Sequence, residues 1–313
     1  MLKKTLIAAS LVALPCHAVW AQDSFPSDTV TIIVPYSAGG GTDNFARALE
    51  RPLEKAFGTN VVVRNVSGGG GAVGYTQALA AEPDGYTVTV PLNALYTLVG
   101  MGNVAFEVDD FDYIARIATE PYTLTLVESD RWSDLDSFVA AANEEPVTLG
   151  FAGVGSSSHI MTKAIVDALG VDARLVPYDG AATAAAAALG GHIDGVVLQP
   201  SDAVAAIEGE GGLLPLAATA PSKLLPDVTL FTDRGIDLTT SQWRGIAAPA
   251  GVDPEIIAIW EEALKEAVQD EPFQQAIDNL GVELAPAYGE ELQAFVQKGE
   301  DLFVPLTKTV SAQ

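Results

Sequence analysis

Short apolar runs rich in β-branched residues alternate along this chain with glycine-rich turns and segments of helical period. Residues 29–35 (TVTIIVP) form the first run, and a glycine triplet follows. Apolar residues then recur at helical spacing from Phe45 onward, and Thr42 or Asp43 is suited to cap that helix. Pro52 predicts a kink or an early end of the helix. The pattern therefore predicts a buried strand, a turn and a helix in succession.

The same succession recurs along the rest of the chain. Segments of β-branched, apolar composition predict strands, and segments of helical spacing or continuous alanine predict the helices between them. This alternation is typical of parallel sheets covered by helices. The predicted strands are residues 60–66, 86–91, 147–152, 173–178, 193–198 and 213–219, and the predicted helices are residues 72–81, 159–169 and 181–189.

The repetition falls into two series. It predicts an α/β protein of two lobes, each a mainly parallel sheet flanked by helices, joined by a hinge. Residues 118–127 link the two series and residues 230–243 lead back. We therefore predict one lobe from residues 22–118 together with 240–313, and the other from residues 119–239. The helices nearest the carboxyl terminus are expected to pack on the first lobe.

The amino-terminal segment has the composition of a secretory signal peptide. Two lysines precede an apolar run over residues 6–14, and a plausible cleavage site ends at Ala21. The run is too short to span a bilayer, so residues 1–21 are expected to be removed during export to the periplasm. Cys16 is the one cysteine and lies in this segment, so we expect no disulfide and no cysteine–metal site in the mature chain.

Charge narrows the classes of partner. The sequence holds 16 lysine and arginine residues against 41 aspartate and glutamate residues, a net charge of −25 at pH 7. Such a field repels nucleic acid and anionic lipid, so neither is expected as a partner. Solubility is the simplest explanation of the acidity.

Two glycine-rich turns are the strongest candidates for a binding site. In open parallel sheets, ligands bind beyond the carboxyl ends of the strands. Residues 36–43 (YSAGGGTD) follow the first strand, and residues 153–159 (GVGSSSH) follow a strand of the second series. Glycine lets the backbone approach a ligand, and the N–H groups of the next helix favour an anion. One such turn is equally well a turn without a ligand, but two facing one cleft would suit a dicarboxylate.

Other chemistry remains open as alternatives. Residues 69–74 fit the dinucleotide pattern G-x-G-x-x-G, although no acid follows the next strand to hold a ribose. Ser157 or Ser158 with His159 would suit an exported hydrolase, although the pattern G-x-S-x-G is absent. Asp194 is either a plain surface acid or a residue with a ligand or gating role.

The order and spacing of several stretches resemble a known family. These stretches resemble the substrate-binding proteins of the tripartite tricarboxylate transporters, also called the Bug family of periplasmic receptors. The resemblance runs from about Phe25 to the carboxyl terminus. The stretches that carry it are residues 32–43, 68–74, 83–87, 153–159, 176–180, 191–194, 243–245 and 248–251.

The resemblance implies a two-lobed, hinge-closing fold of the periplasmic-binding-protein type and a receptor rather than an enzyme. It implies a small organic carboxylate, either a di- or tricarboxylate or an aromatic acid, held by backbone N–H groups and hydroxyls of the two loops. Tyr178 and Asp194 match positions near the cleft in that family. A two-component membrane permease or a sensor protein is the implied partner, and we expect a monomer without cofactor or metal. The turn at Asn93 has no fixed family sequence and is predicted to shape specificity. The predicted ligand-binding residues are Tyr36, Ala38, Gly39, Gly40, Gly41, Thr42, Asp43, Asn93, Gly153, Gly155, Ser156, Ser157, Ser158, His159, Tyr178 and Asp194.

Overall fold

The computed structural model describes residues 25–36, 38–39, 41–178 and 180–311. The predicted signal peptide and Gly40 lie outside the described residues. The strands are β1 (Val30–Val34), β2 (Val61–Asn65), β3 (Thr87–Thr89), β4 (Phe111–Pro121), β5 (Thr123–Val127), β6 (Val147–Ala152), β7 (Ala173–Tyr178), β8 (Gly195–Leu198), β9 (Leu213–Ala218), β10 (Thr229–Leu230), β11 (Ser241–Pro249) and β12 (Glu283–Ala287). The helices are α1 (Gly41–Phe57), α2 (Ala72–Leu79), α3 (Asn93–Met101), α4 (Leu135–Glu144), α5 (Ser157–Leu169), α6 (Ala181–Leu189), α7 (Pro200–Glu210), α8 (Pro254–Ala267), α9 (Glu271–Asn279) and α10 (Gly289–Ser311).

The strands form two sheets, in the orders β12-β4-β11-β3-β1-β2 and β10-β9-β5-β8-β6-β7. Helices flank both sheets, as the alternating pattern predicted. The sheets are more mixed than predicted, since three of the five strand pairings in the first sheet and two of the five in the second are antiparallel. The antiparallel pairings all involve β4, β5, β11 or β12. β5, which follows the first passage between the sheets, and β11 and β12, which follow the return, run opposite to the other strands of their sheet, whereas β4 runs in the same direction as β3.

The chain crosses between the sheets twice. The first crossing is at Tyr122, which lies between β4 of the first sheet and β5 of the second and is fully buried. The second crossing lies between β10 and β11. These two crossings place the second sheet as an insertion between the strands of the first.

Apolar faces of the helices fill the space beside each sheet. Phe45, Leu49 and Leu53 of α1 are fully buried against the first sheet, which is why α1 continues past Pro52 to Phe57 instead of ending there. Losing one backbone N–H costs less than exposing that apolar face. The carboxyl-terminal helices divide: α8 packs on α1, whereas α10 packs on α3 and also contacts α5 of the second sheet. No helix in the described ranges combines the length and apolar character needed to cross a membrane.

Candidate functional site

A cavity of about 560 Å³ lies between the two sheets, beyond the carboxyl ends of β1 and β6. The loop after β1 and the start of α1 form one wall of the cavity. The loop after β6 and the start of α5 form a second wall. A third wall comes from α3 and a fourth from β11. The lining residues are Tyr36, Gly41, Thr42, Gly69, Gly70, Leu92, Ala94, Thr97, Leu98, Met101, Val154, Gly155, Ser156, Ser157, Gln242 and Arg244.

The Asp43 side chain holds the loop before α1 in place through hydrogen bonds. Its carboxylate accepts hydrogen bonds from the Gly39 N–H at 2.7 Å, from Arg47 Nε at 3.1 Å and from Asn65 Nδ2 at 2.9 Å. Burial raises the pKa of Asp43, but the bonds from Gly39, Arg47 and Asn65 outweigh that effect and leave the pKa below its usual value. Asp43 is therefore an ionised support for the loop and is not among the residues lining the cavity.

Tyr36 connects the first loop to a further glycine turn. Its hydroxyl donates to the Gly70 carbonyl at 3.4 Å, and burial raises the pKa of Tyr36 to about 12. Gly69 and Gly70, noted in the sequence as part of a dinucleotide pattern and of a family stretch but not as ligand-binding residues, line the same cavity. Gly74 has a packing role, because a Cβ there would lie 2.5 Å from Pro35 Cα.

The loop before α5 is closed by hydrogen bonds among its own residues. Ser156 caps the helix by accepting the His159 N–H at 3.1 Å, and the Gly155 N–H donates to His159 Nδ1 at 3.2 Å. Gly155 has φ of 75°, a conformation that glycine adopts without steric cost. The imidazole of His159 stacks on Phe151 with 3.8 Å between ring centroids, and burial lowers the pKa of His159. The ring is therefore held neutral, with Nδ1 as an acceptor.

The hydrolase alternative requires a hydrogen bond between a serine hydroxyl and the His159 imidazole. Ser158 Oγ accepts from the Ala152 N–H at 3.3 Å and donates to the Val197 carbonyl at 3.5 Å. Ser157 lines the cavity. Within the described residues, neither serine side chain hydrogen-bonds the His159 imidazole, whose Nδ1 accepts from Gly155.

Three further predicted ligand-binding residues, Asn93, Tyr178 and Asp194, are not among the residues lining the cavity. Asn93, 1% exposed, donates from Nδ2 to the Tyr122 hydroxyl at 3.1 Å and to the Ser241 carbonyl at 3.0 Å, joining α3 to both crossings. Tyr178 packs over Gly150 of the neighbouring strand. Asp194 accepts from the Thr148 N–H at 2.7 Å, at the opposite end of β6 from the cavity. Ala38, Gly39, Gly153, Ser158 and His159 are likewise not among the lining residues.

The sequence did not predict two walls of the cavity, those formed by α3 and β11. Residues 92–94 were interpreted as a turn, but α3 begins there, and Thr97, Leu98 and Met101 line the cavity. Arg244 was noted only as part of a family stretch, yet its side chain lines the cavity and is only 12% exposed. The available signal was the charge itself: Arg244 is the one ionisable residue in the strand sequence SQWRGIAAP.

Comparison with known proteins assigns the family. The model of the tripartite tricarboxylate transporter family receptor matches residues 45–309. This chain belongs to that receptor family. Among curated relatives, the receptor is 33% identical over 268 residues to a protein encoded in the TAR-I ttuE-ttuC' intergenic region of Agrobacterium vitis, covering 83% of this chain and 77% of the relative. It is 27% identical over 299 residues to BugT of Bordetella pertussis strain Tohama I, covering 93% of this chain and 90% of BugT.

Solved structures agree with the family assignment and the two-lobed fold. The receptor superposes on a TctC solute binding protein from Polaromonas with a TM-score of 0.85 and 31% identity, covering 91% of this chain and all of that one. It is also similar to MatC from Rhodopseudomonas palustris with bound malate, at a TM-score of 0.68 and 26% identity, covering 90% of this chain and 100% of that one. The predictions of the fold and of the family are both confirmed.

Proposed function

We propose that this protein is a periplasmic receptor that captures a small organic carboxylate in the interlobe cavity, for uptake or for sensing. The observation that carries the proposal is the meeting of two helix N-termini, those of α1 and α5, at one cavity between two sheets. Free N–H groups and the helix dipole at each N-terminus stabilise a negative charge. The malate bound to MatC supports a carboxylate as the class of ligand.

The proposal includes export of the protein to the periplasm and a partner protein that responds to the bound ligand. The signal-peptide composition of residues 1–21 supports export, and the family name supports a membrane permease as partner, with a sensor protein as the alternative. We propose a monomer that binds without turnover. His159 supports binding over hydrolysis, because its Nδ1 accepts from the Gly155 N–H, so that Nε2 of the neutral ring carries the proton and has no lone pair to accept one from a serine hydroxyl.

A thermal-shift screen of the mature protein at fixed pH tests the function. The acids are succinate, malate, adipate, citrate, benzoate, aspartate, glutamate and a sugar acid. An acid at 100 times its Kd should raise the free energy of unfolding by about 2.7 kcal/mol. Ser157→Phe would fill the cavity and should abolish the shift, whereas Ser133→Phe at an exposed position should keep it. A shift that survives in Ser157→Phe would place the acid elsewhere.

Ester hydrolysis provides the test against an enzyme. Purified protein is incubated with nitrophenyl esters, and His159→Ala is assayed beside the wild type. A receptor should give no turnover in either protein and at most a changed affinity in the variant. Hydrolysis that disappears with His159 would contradict the receptor function and support the alternative with Ser157 or Ser158.

A further inference from the structure

Arg244 occupies an unusual position for a charged side chain. It lies in the middle of β11, a strand whose other residues are mostly buried and uncharged. Gln242 and Arg244 are two residues apart, so their side chains share one face of the strand, and both line the cavity. Among the described residues that line the cavity, Arg244 is the one with a charged side chain.

The guanidinium of Arg244 has donors that the described protein atoms do not satisfy. Nε and Nη1 are buried and have no hydrogen-bond acceptor among the described residues. The carboxylate of Glu120 is 3.8 Å from Nη1, which is an ion pair but too long for a hydrogen bond. A buried donor left unmet is costly, and the cost is greater for a charged group. An anion that enters the cavity beside the guanidinium would supply the opposite charge that these donors lack.

The position of Arg244 relative to α1 indicates where that anion would sit. A Cβ built on Gly41, the first residue of α1, would lie 3.5 Å from Arg244 Nη2. The guanidinium and the positive end of the α1 dipole therefore face the same part of the cavity. Glycine at position 41 leaves room between them.

Glu120 is the ion-pair partner of the Arg244 guanidinium. It is 4% exposed, and its Oε1 accepts a hydrogen bond from Ser201 Oγ at 2.5 Å. Ser201 lies at the start of α7, on the second sheet, so Glu120 is fixed by both lobes. Ser201 holds Oε1 in place, and Oε2 lies 3.8 Å from Arg244 Nη1, so Glu120 orients Arg244 without accepting a hydrogen bond from it.

We infer that Arg244 is the charged anchor for a carboxylate of the ligand, with Glu120 as its positioning residue. The inference rests on the proposed carboxylate-binding function and narrows it to ligands with an ionised carboxylate at the α1 end of the cavity. A planar guanidinium matches the two oxygens of a carboxylate, whereas an amide offers only one oxygen and brings N–H groups of its own. The anchor therefore selects an acid over its amide.

Isothermal titration of the mature protein tests this inference. The probes are succinate, malate, adipate, citrate and benzoate, and the acid that binds the wild type most tightly is compared with its amide. Arg244→Gln should weaken binding of that acid by about 30-fold or more, because a buried charged contact is lost. It should also remove most of the preference for the acid over the amide. Arg244→Lys should fall between the two.

Arg116 provides a matched control. It is also in the first sheet and is 15% exposed, but it donates to the Ala285 carbonyl at 2.8 Å, pairs with Glu291 and lies outside the cavity lining. Arg116→Gln should change affinity by less than about two-fold. An Arg244→Gln variant that keeps wild-type affinity and acid preference would overturn the anchor alone. A wild type that binds none of the acids would instead contradict the proposed function.

Stability without added acid separates an anchor from a structural residue. In the Glu120→Gln background, Arg244→Gln should not lower the melting temperature, because no protein partner is lost. Arg116→Gln should lower it, since two bonds and the stacking on Phe295 are removed. A loss for Arg244→Gln as large as that for Arg116→Gln would show that Arg244 serves the fold and would overturn the inference.

Discussion

At the scale of single residues, two buried charges beside the cavity serve different purposes. Asp43 has its carboxylate bonded to three partners, and it shapes the loop that precedes α1. Arg244 is largely buried, with 12% of its side chain exposed, but keeps unmet donors. Removing a partner from a satisfied buried charge destabilises the protein, whereas a buried charge with unmet donors already reduces stability, which supports a role for Arg244 in binding.

Asp43→Asn should destabilise the protein by about 1–3 kcal/mol at pH 7, because an amide cannot accept all three bonds. The folded pKa of Asp43 lies below its unfolded value, so its contribution is complete above the unfolded pKa and disappears as the pH falls through the folded pKa. Urea unfolding at several pH values measures this. A difference between the proteins that persists unchanged at the lowest pH would contradict the assigned role.

His159 should make stability depend on pH in mildly acidic solution. Burial lowers its folded pKa, so the unfolded chain binds the proton more readily and stability decreases as the pH falls below the unfolded pKa, about 6.5. His159→Asn offers a neutral acceptor for the Gly155 N–H and should show a shallower loss between pH 7 and 5. His192→Asn, at an exposed position, is the control and should follow the wild type.

At the scale of elements, the end of α3 meets the loop before α5 across the two lobes. A Cβ on Gly155 would lie 2.8 Å from Met101 Sδ, so the glycine allows the two elements to approach closely. Met101 also lines the cavity. The shape of the binding site and the contact between the lobes therefore depend on the same pair of residues.

Gly155→Ala should reduce affinity for the acids more than it reduces stability. The strain of a non-glycine residue at positive φ costs about 1–2 kcal/mol, and the flexible Met101 side chain can move away from the new methyl group into the cavity. Gly170→Ala has a similar φ of 63° but no atom within 4 Å, which makes it the matched control. Urea unfolding and titration of both variants should give similar losses of stability, with weaker binding in Gly155→Ala alone.

At the scale of the whole molecule, a strongly acidic protein is proposed to bind an anion. The net charge of −25 repels the ligand at long range, while the helix N-termini and Arg244 attract it within the cavity. Salt screens the distant charges over roughly 8–10 Å and affects the buried contacts less. The association rate, which depends on the distant charges, and the contacts within the cavity should therefore respond differently to ionic strength.

The association rate of succinate, or of the tightest-binding acid, should rise by several-fold between 10 mM and 150 mM salt. Stopped-flow fluorescence of the buried tryptophans measures it, with the corresponding amide as the uncharged control. A rate that falls with salt would mean that the field of the cavity, rather than that of the acidic surface, governs approach.

The sequence alone determined much of this architecture, because the relevant information is local. Strand and helix periods and the glycine turns at strand ends depend on neighbouring residues, so they predicted the two α/β series and both loops that begin α1 and α5. The match of family stretches predicted the receptor fold. Local pattern also misled, at Pro52 and at residues 92–94, where burial of an apolar face sustains or creates a helix.

Tertiary structure decided which side chains face the cavity. β11 inserts between β3 and β4, from which it is separated by more than a hundred residues along the chain, and this pairing alone brings Arg244 to the start of α1. The same packing turns Asp43 away from the cavity and leaves Asp194 at the far end of the second sheet. Long-range strand pairing carries no periodic signal in one sequence, so the charged end of the cavity emerged only when the strands were placed side by side.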